Sequence, residues 1–443
     1  MDAAKSTEGN GSIVYSFYVV AILMAVYVLS FMDRILLSLL VKPIRQEFQI
    51  GDTGMGLLMG FGFALFYTSF GLLFGAIADR YNRRNLILAG LLGWSIATCG
   101  GGLAMGLGTL MFARAIVGVG EGSLAPGAYS TIGDRFSPER QGLAIGIYSM
   151  GVGLGGGLSM VFGGALVHWA GNTSVTLPLL GTLTGWRLAM VTMGALGFPL
   201  AALFLATVRE APRKARSIAP PPFSAVLRMM ARRWRAFGGA LVGFSCAVVS
   251  VYIPYLWVPA LFARSHAMNP QEIGGVLGVV LMISGVCGVV GAGALSDKLL
   301  SRGMADAPVR TIFWAALVQM PILGLAYIVP DRTTALVLLA IGMVLTSASS
   351  SLQATALTLM TPGQMRGRMM SIHLLVITVV GLGLAPLFTG LLSDHVFTQD
   401  NGLGRSLAMV STIALAICCV ALALSRAAIQ QVIVERRAAA EAA

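Results

Sequence analysis

An all-α membrane protein of twelve transmembrane helices is the fold the sequence predicts, and three observations predict it. Hydrophobic residues fill 56% of the 443 positions and charged residues only 11%, whereas soluble domains carry about 25% charged residues. The apolar residues gather into about twelve runs, each close to the roughly 20 residues a helix needs to cross the hydrocarbon core. Lys and Arg alternate between the loops. With both termini placed in the cytoplasm most of them fall on the inner side, and the central loop alone holds Arg209, Arg213, Lys214, Arg216, Arg228, Arg232, Arg233 and Arg235. This bias is the positive-inside pattern. It accounts for the net charge of +12 without nucleic acid, and it predicts a multi-pass protein of an inner (plasma) membrane.

The runs lie near 15–41, 54–78, 86–107, 109–131, 141–167, 185–207, 238–262, 273–296, 310–329, 333–359, 367–391 and 405–427. The first follows the polar start MDAAKSTEGNGS and is too long for a signal-peptide core, so it is expected to remain as a helix. The second ends in GAIADRYNRR, Gly75 to Arg84, and the fourth carries Arg114 and Glu121. The fifth is glycine-rich; its GVGLGG has the spelling of a dinucleotide fingerprint but no strand before it. After the sixth comes REAPRKARSIAPPPF, which divides the chain into an N-terminal six-helix bundle (1–208), a basic cytoplasmic linker (209–237) and a C-terminal six-helix bundle (238–443).

The seventh run sets Tyr252, Tyr255 and Trp257 around Pro254 and Pro259, a kink signal. The eighth ends in GALSDKLLSR, Gly293 to Arg302, echoing the end of the second; SPERQG before the fifth is likewise echoed by TPGQMRG before the eleventh. Echoes displaced by half the chain predict a duplicated six-helix unit. The tenth run carries Thr346, Ser347, Ser349, Ser350, Ser351 and Gln353, and the eleventh carries His373. All five cysteines fall inside apolar runs with no metal-ligand spacing.

Only Asp33, Arg34, Arg114 and Glu121 place an acid or base well inside these helices. A charge at mid-span costs about 2.5 to 3.5 kcal/mol on insertion scales, so such residues face a wet interior and have a task. At the helical rise, Asp33 lies about 13 Å below the outer end of the first helix, and Glu121 about 10 Å deeper than Arg114 on the same face of the fourth. Asp33 and Arg34 point about 100° apart and need not pair. The expected arrangement sets Asp33 opposite Arg114, uses Glu121 and Asp33 for proton coupling, and lets Arg114 and Arg34 receive an anionic substrate head. The competing arrangement is a static ion pair bracing the first and fourth helices.

Gly75-x-x-x-Asp79-Arg80-x-x-Arg83-Arg84 resembles the loop motif between helices two and three of the major facilitator superfamily, and Arg114-x-x-x-Gly118-x-Gly120 resembles its fourth-helix motif. Within that superfamily, Met32-Asp33-Arg34, Ile50-Gly51-Asp52, Asp79-Arg80-Tyr81-Asn82-Arg83 and Gly118-Val119-Gly120-Glu121 look like the Spinster family of lipid transporters. The resemblance implies two pseudo-symmetric bundles around a central cavity. It also implies an inner gate of Gly75, Asp79, Arg80, Arg83 and Arg84, with Asp79 reaching a helix terminus in the other half. The second-half loop departs from the pattern, with Leu299 and Leu300 where the first has Tyr81 and Asn82.

The expected function is proton-coupled secondary transport of an amphiphilic anionic lipid, a lysophospholipid or sphingoid phosphate, by alternating access; the lipid class comes from the Spinster resemblance. Tyr252, Tyr255, Trp257, Ser347 and Ser350 form the expected substrate wall. The alternatives are a carrier of drugs or small organic anions, or a non-pumping lipid scramblase or receptor. No phosphate-binding ATPase loop or nucleophile elbow occurs, so no enzyme, cofactor or metal is expected. The expected partners are the lipid substrate, protons and the bilayer, with the chain acting as a monomer.

Overall fold

The computed structural model describes residues 10–177, 181–213, 222–399 and 401–441. A chain inside hydrocarbon has to satisfy its backbone hydrogen bonds within each segment, and helices dominate accordingly. The first span is α1 (Asn10–Leu39), followed by the short helix α2 (Val41–Phe48), which stops at Gln49 in the left-handed conformation, φ 52°. The second span is assembled from α3 (Asp52–Gly56), a π-helical turn (Leu57–Phe61) and α4 (Gly62–Arg80). The helix α5 (Arg83–Gly102) starts on Asn82, whose side-chain oxygen accepts the Asn85 N–H at 2.9 Å.

The fourth span is broken into α6 (Leu107–Glu121) and α7 (Leu124–Arg135). The fifth is α8 (Pro138–Gly171), and the sixth is α9 (Gly185–Ala195) with α10 (Gly197–Thr207). Between them the antiparallel strands β1 (Ser174–Leu177) and β2 (Gly181–Thr184) pair with Ser174 opposite Thr184.

The second half opens with α11 (Phe223–Arg232) and α12 (Trp234–Ser265), which holds both Pro254 and Pro259. Next come α13 (Pro270–Ser301), begun by a reciprocal Asn269–Glu272 cap, α14 (Ala307–Ala326), and α15 (Arg332–Met360), begun by Asp331 accepting the Thr334 N–H at 2.7 Å. The eleventh span joins α16 (Arg366–Ile377), a π-helical turn (Thr378–Leu384) and α17 (Ala385–His395), and the last is α18 (Gly402–Glu441). Among the described residues eleven helices are long and apolar enough to cross a membrane. The fourth span is absent from that set because it is broken, and with it the architecture has twelve.

The chain forms two compact units, one of Met1–Leu36, Phe66–Ser159 and Ala170–Ala215, the other of Leu37–Leu65, Met160–Trp169 and Arg216–Ala443. In unit 1, α5 packs against α6 and α9. In unit 2, α12 packs against α18, and α15 against α13 and α14, around Phe237, Phe244, Ile312, Leu352 and Leu422. Unit 2 also takes in the ends of the first, second and fifth spans that the charge bias assigns to the outside. There the second and eleventh spans approach to backbone contact: a Cβ at Gly56 would stand 2.5 Å from the Pro386 carbonyl oxygen, and one at Gly60 2.7 Å from that of Leu382.

Candidate functional site

The four intramembrane charges of unit 1 form one buried cluster on α1 and α6, with Asp33, Arg34, Arg114 and Glu121 exposed by 4%, 6%, 1% and 1%. Glu121 Oε2 accepts from Ser30 Oγ at 2.6 Å and from Arg34 Nε at 2.5 Å; Ser30 and Arg34 stand one turn apart on α1. The Arg34 guanidinium also lies over the rings of Tyr67, 4.5 Å away, and Phe31, 5.2 Å away, which fixes its orientation. Arg114 Nη1 lies 3.5 Å from Asp33 Oδ1, the long limit of a hydrogen bond, while Thr98 of α5 donates to Asp33 Oδ2.

The two acids therefore differ. Both oxygens of Asp33 are engaged, whereas Glu121 Oε1 is buried with no hydrogen-bond partner among the described residues. An ionised oxygen buried without a donor is costly, and Oε1 is the place in this cluster where a bound proton would relieve that cost.

Local sequence sets Glu121 there. It is the last residue of α6, and the chain continues through Gly122 and Ser123. A Cβ at Gly120 would stand 2.9 Å from the Gly90 carbonyl oxygen, and one at Gly122 3.0 Å from that of Tyr67. Hydrogen side chains thus allow α6 to end between α4 and α5. Tyr27 and Tyr148 stack beside the cluster with centroids 4.9 Å apart, and Tyr129 meets Tyr148 edge-on at 5.4 Å. Sequence reasoning missed Ser30, Tyr67, Thr98 and this tyrosine group; the available signal was Ser30 lying one turn before Arg34.

A second charged site lies in unit 2. Asp52 receives Arg264 through Nη2 at 2.7 Å and Nη1 at 2.8 Å, Arg45 Nη1 at 3.0 Å and Ser393 Oγ at 2.8 Å. Asp394 accepts the N–H groups of Asp52 at 2.9 Å and Thr53 at 2.7 Å, capping the first turn of the second span. One turn below, a Cβ at Gly390 would strike the Asp52 carbonyl. Gly390-x-x-x-Asp394 is spelled like Gly75-x-x-x-Asp79, and at this occurrence the glycine admits a neighbouring backbone and the aspartate caps it. Neither Arg264 nor Asp394 was singled out from sequence.

The residues expected at the inner gate are placed as follows. Arg83 is 1% exposed; it donates to Glu210 Oε1 at 2.8 Å, to the Ala211 carbonyl at 2.6 Å and to Asp134. The Arg84 N–H meets Glu210 Oε2 at 2.8 Å. These partners all lie in unit 1 and tie the chain after α10 to α5 and α7. Arg80 is exposed, a Cβ at Gly75 would meet nothing within 4 Å, and the side chain of Asp79 lies outside the described residues.

Of the expected substrate wall, Trp257 is fully buried and donates its indole N–H to the Pro386 carbonyl at 3.2 Å, which gives it a packing role. Tyr252 lies against Gly381, Ser347 faces Gly288, and Ser350 donates to the Ser347 carbonyl at 3.2 Å. Tyr255 is half-buried. His373 is buried edge-on to Phe244, with centroids 6.1 Å apart, and its Nδ1 has no partner among the described residues.

The model of the Major Facilitator Superfamily matches residues 23–381. An MFS-type efflux pump of Mycolicibacterium smegmatis is 28% identical over 88% of this chain and 88% of its own length. Human protein spinster homolog 1 is 27% identical over 86% of this chain and 74% of that protein. A crystal structure of a bacterial homologue of the human lysosomal transporter Spinster, inward-facing and unoccupied, aligns with a TM-score of 0.77 at 26% identity, covering 96% of this chain and 97% of that one. The chain belongs to the Major Facilitator Superfamily, as a membrane transporter of Spinster type.

Proposed function

We propose that the protein is a proton-coupled carrier of an amphiphilic anionic lipid, a lysophospholipid or sphingoid phosphate, working by alternating access as a monomer with both termini in the cytoplasm. The observation that carries the coupling is Glu121: a buried acid whose Oε2 is held by Arg34 and Ser30 while Oε1 has no partner among the described residues. Protonation at Oε1 weakens the hold on Arg34, and the released guanidinium, clamped between two rings, is set to receive an anionic head. Arg114, at 3.5 Å from Asp33, is the looser of the two pairs and the second anion contact. Tyr252 and Tyr255 serve the apolar part of the cargo. Asp52, Arg264 and Asp394 close the outer mouth, and Asp79 with its basic neighbours serves the inner one.

The test is uptake of a labelled lysophospholipid into proteoliposomes with and without a proton gradient. Wild-type uptake is expected to follow the gradient, and Glu121→Gln to transport at a rate indifferent to it. Glu121→Gln retaining the full gradient response overturns the coupling role and leaves the cluster as a brace. Transport of a drug or small organic anion is the second reading, supported by the likeness to an efflux pump; competition of such a compound against the labelled lipid separates the two.

A further inference from the structure

The basic linker carries a feature that transport does not use. The helix α11 buries one side of itself: Val226 is fully buried in the core of unit 2, with Met229 and Met230 packed against the same core. The adjoining apolar positions are partly open: Leu227 by 54%, Phe223 by 46% with the Arg368 guanidinium over its ring at 4.7 Å, and Trp234, just past the helix end, by 66%. At 100° per residue, Arg228 and Arg232 fall on the opposite side. A helix with an uncovered apolar edge and an arginine edge lies in the plane of a membrane surface.

Where α11 meets α12 and α18 there is a cleft of about 320 Å³, lined by Arg232, Arg233, Arg235, Trp234, Gln431 and Glu435 among others. Its one carboxylate is already engaged, with Arg233 Nη1 2.7 Å from Glu435 Oε2. Among the described residues Arg232 and Arg235 have no carboxylate partner, and Arg235 lies over the Trp234 ring at 5.6 Å. From Phe223 to Arg235 the sequence has four arginines and no acid. Both α12 and α18 are membrane spans, so the cleft sits where two spans leave the hydrocarbon.

We infer that this cleft is a binding site for the phosphate head of an anionic bilayer phospholipid, with Arg232 and Arg235 as its phosphate ligands and Phe223, Leu227 and Trp234 against the acyl region. Arginine forks match phosphate oxygens in pairs, exposed tryptophan suits the interfacial layer, and basic clusters on amphipathic helices select anionic lipid. The lipid held here is a resident of the leaflet and not cargo, so the site stands or falls apart from the transport reading.

The experiment titrates the purified full chain in detergent with phosphatidylglycerol or with phosphatidylcholine of the same acyl chains, counting retained lipids by native mass spectrometry. Wild type is expected to hold phosphatidylglycerol in preference. At about 1 kcal/mol per arginine and 1.4 kcal/mol per tenfold, Arg232→Gln with Arg235→Gln is expected to weaken that binding about thirty-fold. The corresponding double Lys variant recovers part of it, a pattern that loss of folding does not give. Equal retention of the two lipids by wild type, unchanged binding in the Gln variant, or displacement of phosphatidylglycerol by millimolar inorganic phosphate, which marks a soluble-anion site, each overturns the inference.

Discussion

Replacing Asp52 with Asn tests whether the charged site of unit 2 holds one mouth shut. Asp52 is 2% exposed and is held by a two-pronged Arg264 contact, by Arg45 and by Ser393. Breaking a fully buried pair costs about 3–5 kcal/mol, and an exposed one less than about 1 kcal/mol. Here the Arg264 and Arg45 side chains are each 32% exposed and recover water when released, and Asn keeps an acceptor oxygen. The loss is therefore about 2 kcal/mol, or about thirty-fold in the equilibrium between shut and open forms. An open form at roughly 1% becomes roughly a quarter of the population.

Spin labels at Gln46 and Gln271, both exposed and both in unit 2, report the change as a new long-distance component in pulsed dipolar spectra. Arg264→Gln is expected to produce the same component, and the double variant little more than either single, because the residues act as a unit. A distance distribution unmoved by Asp52→Asn, or single effects that add in full, refutes the role of this contact as a catch.

Two further expectations concern unit 1. Gly120→Ala sets a methyl 2.9 Å from the Gly90 carbonyl oxygen and 3.0 Å from Trp94, so a loss of about 1–3 kcal/mol from overpacking appears as a lower thermal midpoint in detergent; an unchanged midpoint contradicts the close approach of α5 and α6. Arg83→Gln leaves Glu210 and Asp134 without their shared cation, at a cost of about 2–3 kcal/mol once their partial exposure is discounted from the buried value. Faster proteolysis after residue 208 checks it, and wild-type resistance there rules it out.

Much of the architecture was legible in the sequence because a bilayer permits few solutions: long apolar runs have to be helices, and basic loops sort themselves to one side. The four intramembrane charges stood out for the same reason, each being too costly at mid-span to lack a purpose. Their pairing was less legible. Depth alone brought Asp33 within reach of Arg114, but that Glu121 is gripped by Arg34 depends on the rotation of α1 about its axis, which a helix apolar on nearly every side does not disclose. The break after Glu121 was hidden because hydropathy runs on unchanged through 109–131. Arg264 and Asp394 each look like a single charge at a span end until the second, seventh and eleventh spans are brought together.

The interruption at Gly122 and Ser123 has a mechanical consequence. Both residues keep right-handed helical dihedrals, φ −58° and −76°, so it is a loosened turn within the fourth span: the half bearing Arg114 and Glu121 is wedged between α4 and α5, while the half below is tethered through Asp134 to Arg83. A tilt of the lower half would be absorbed as torsion at that turn and would leave the Glu121 carboxylate where Arg34 and Ser30 hold it.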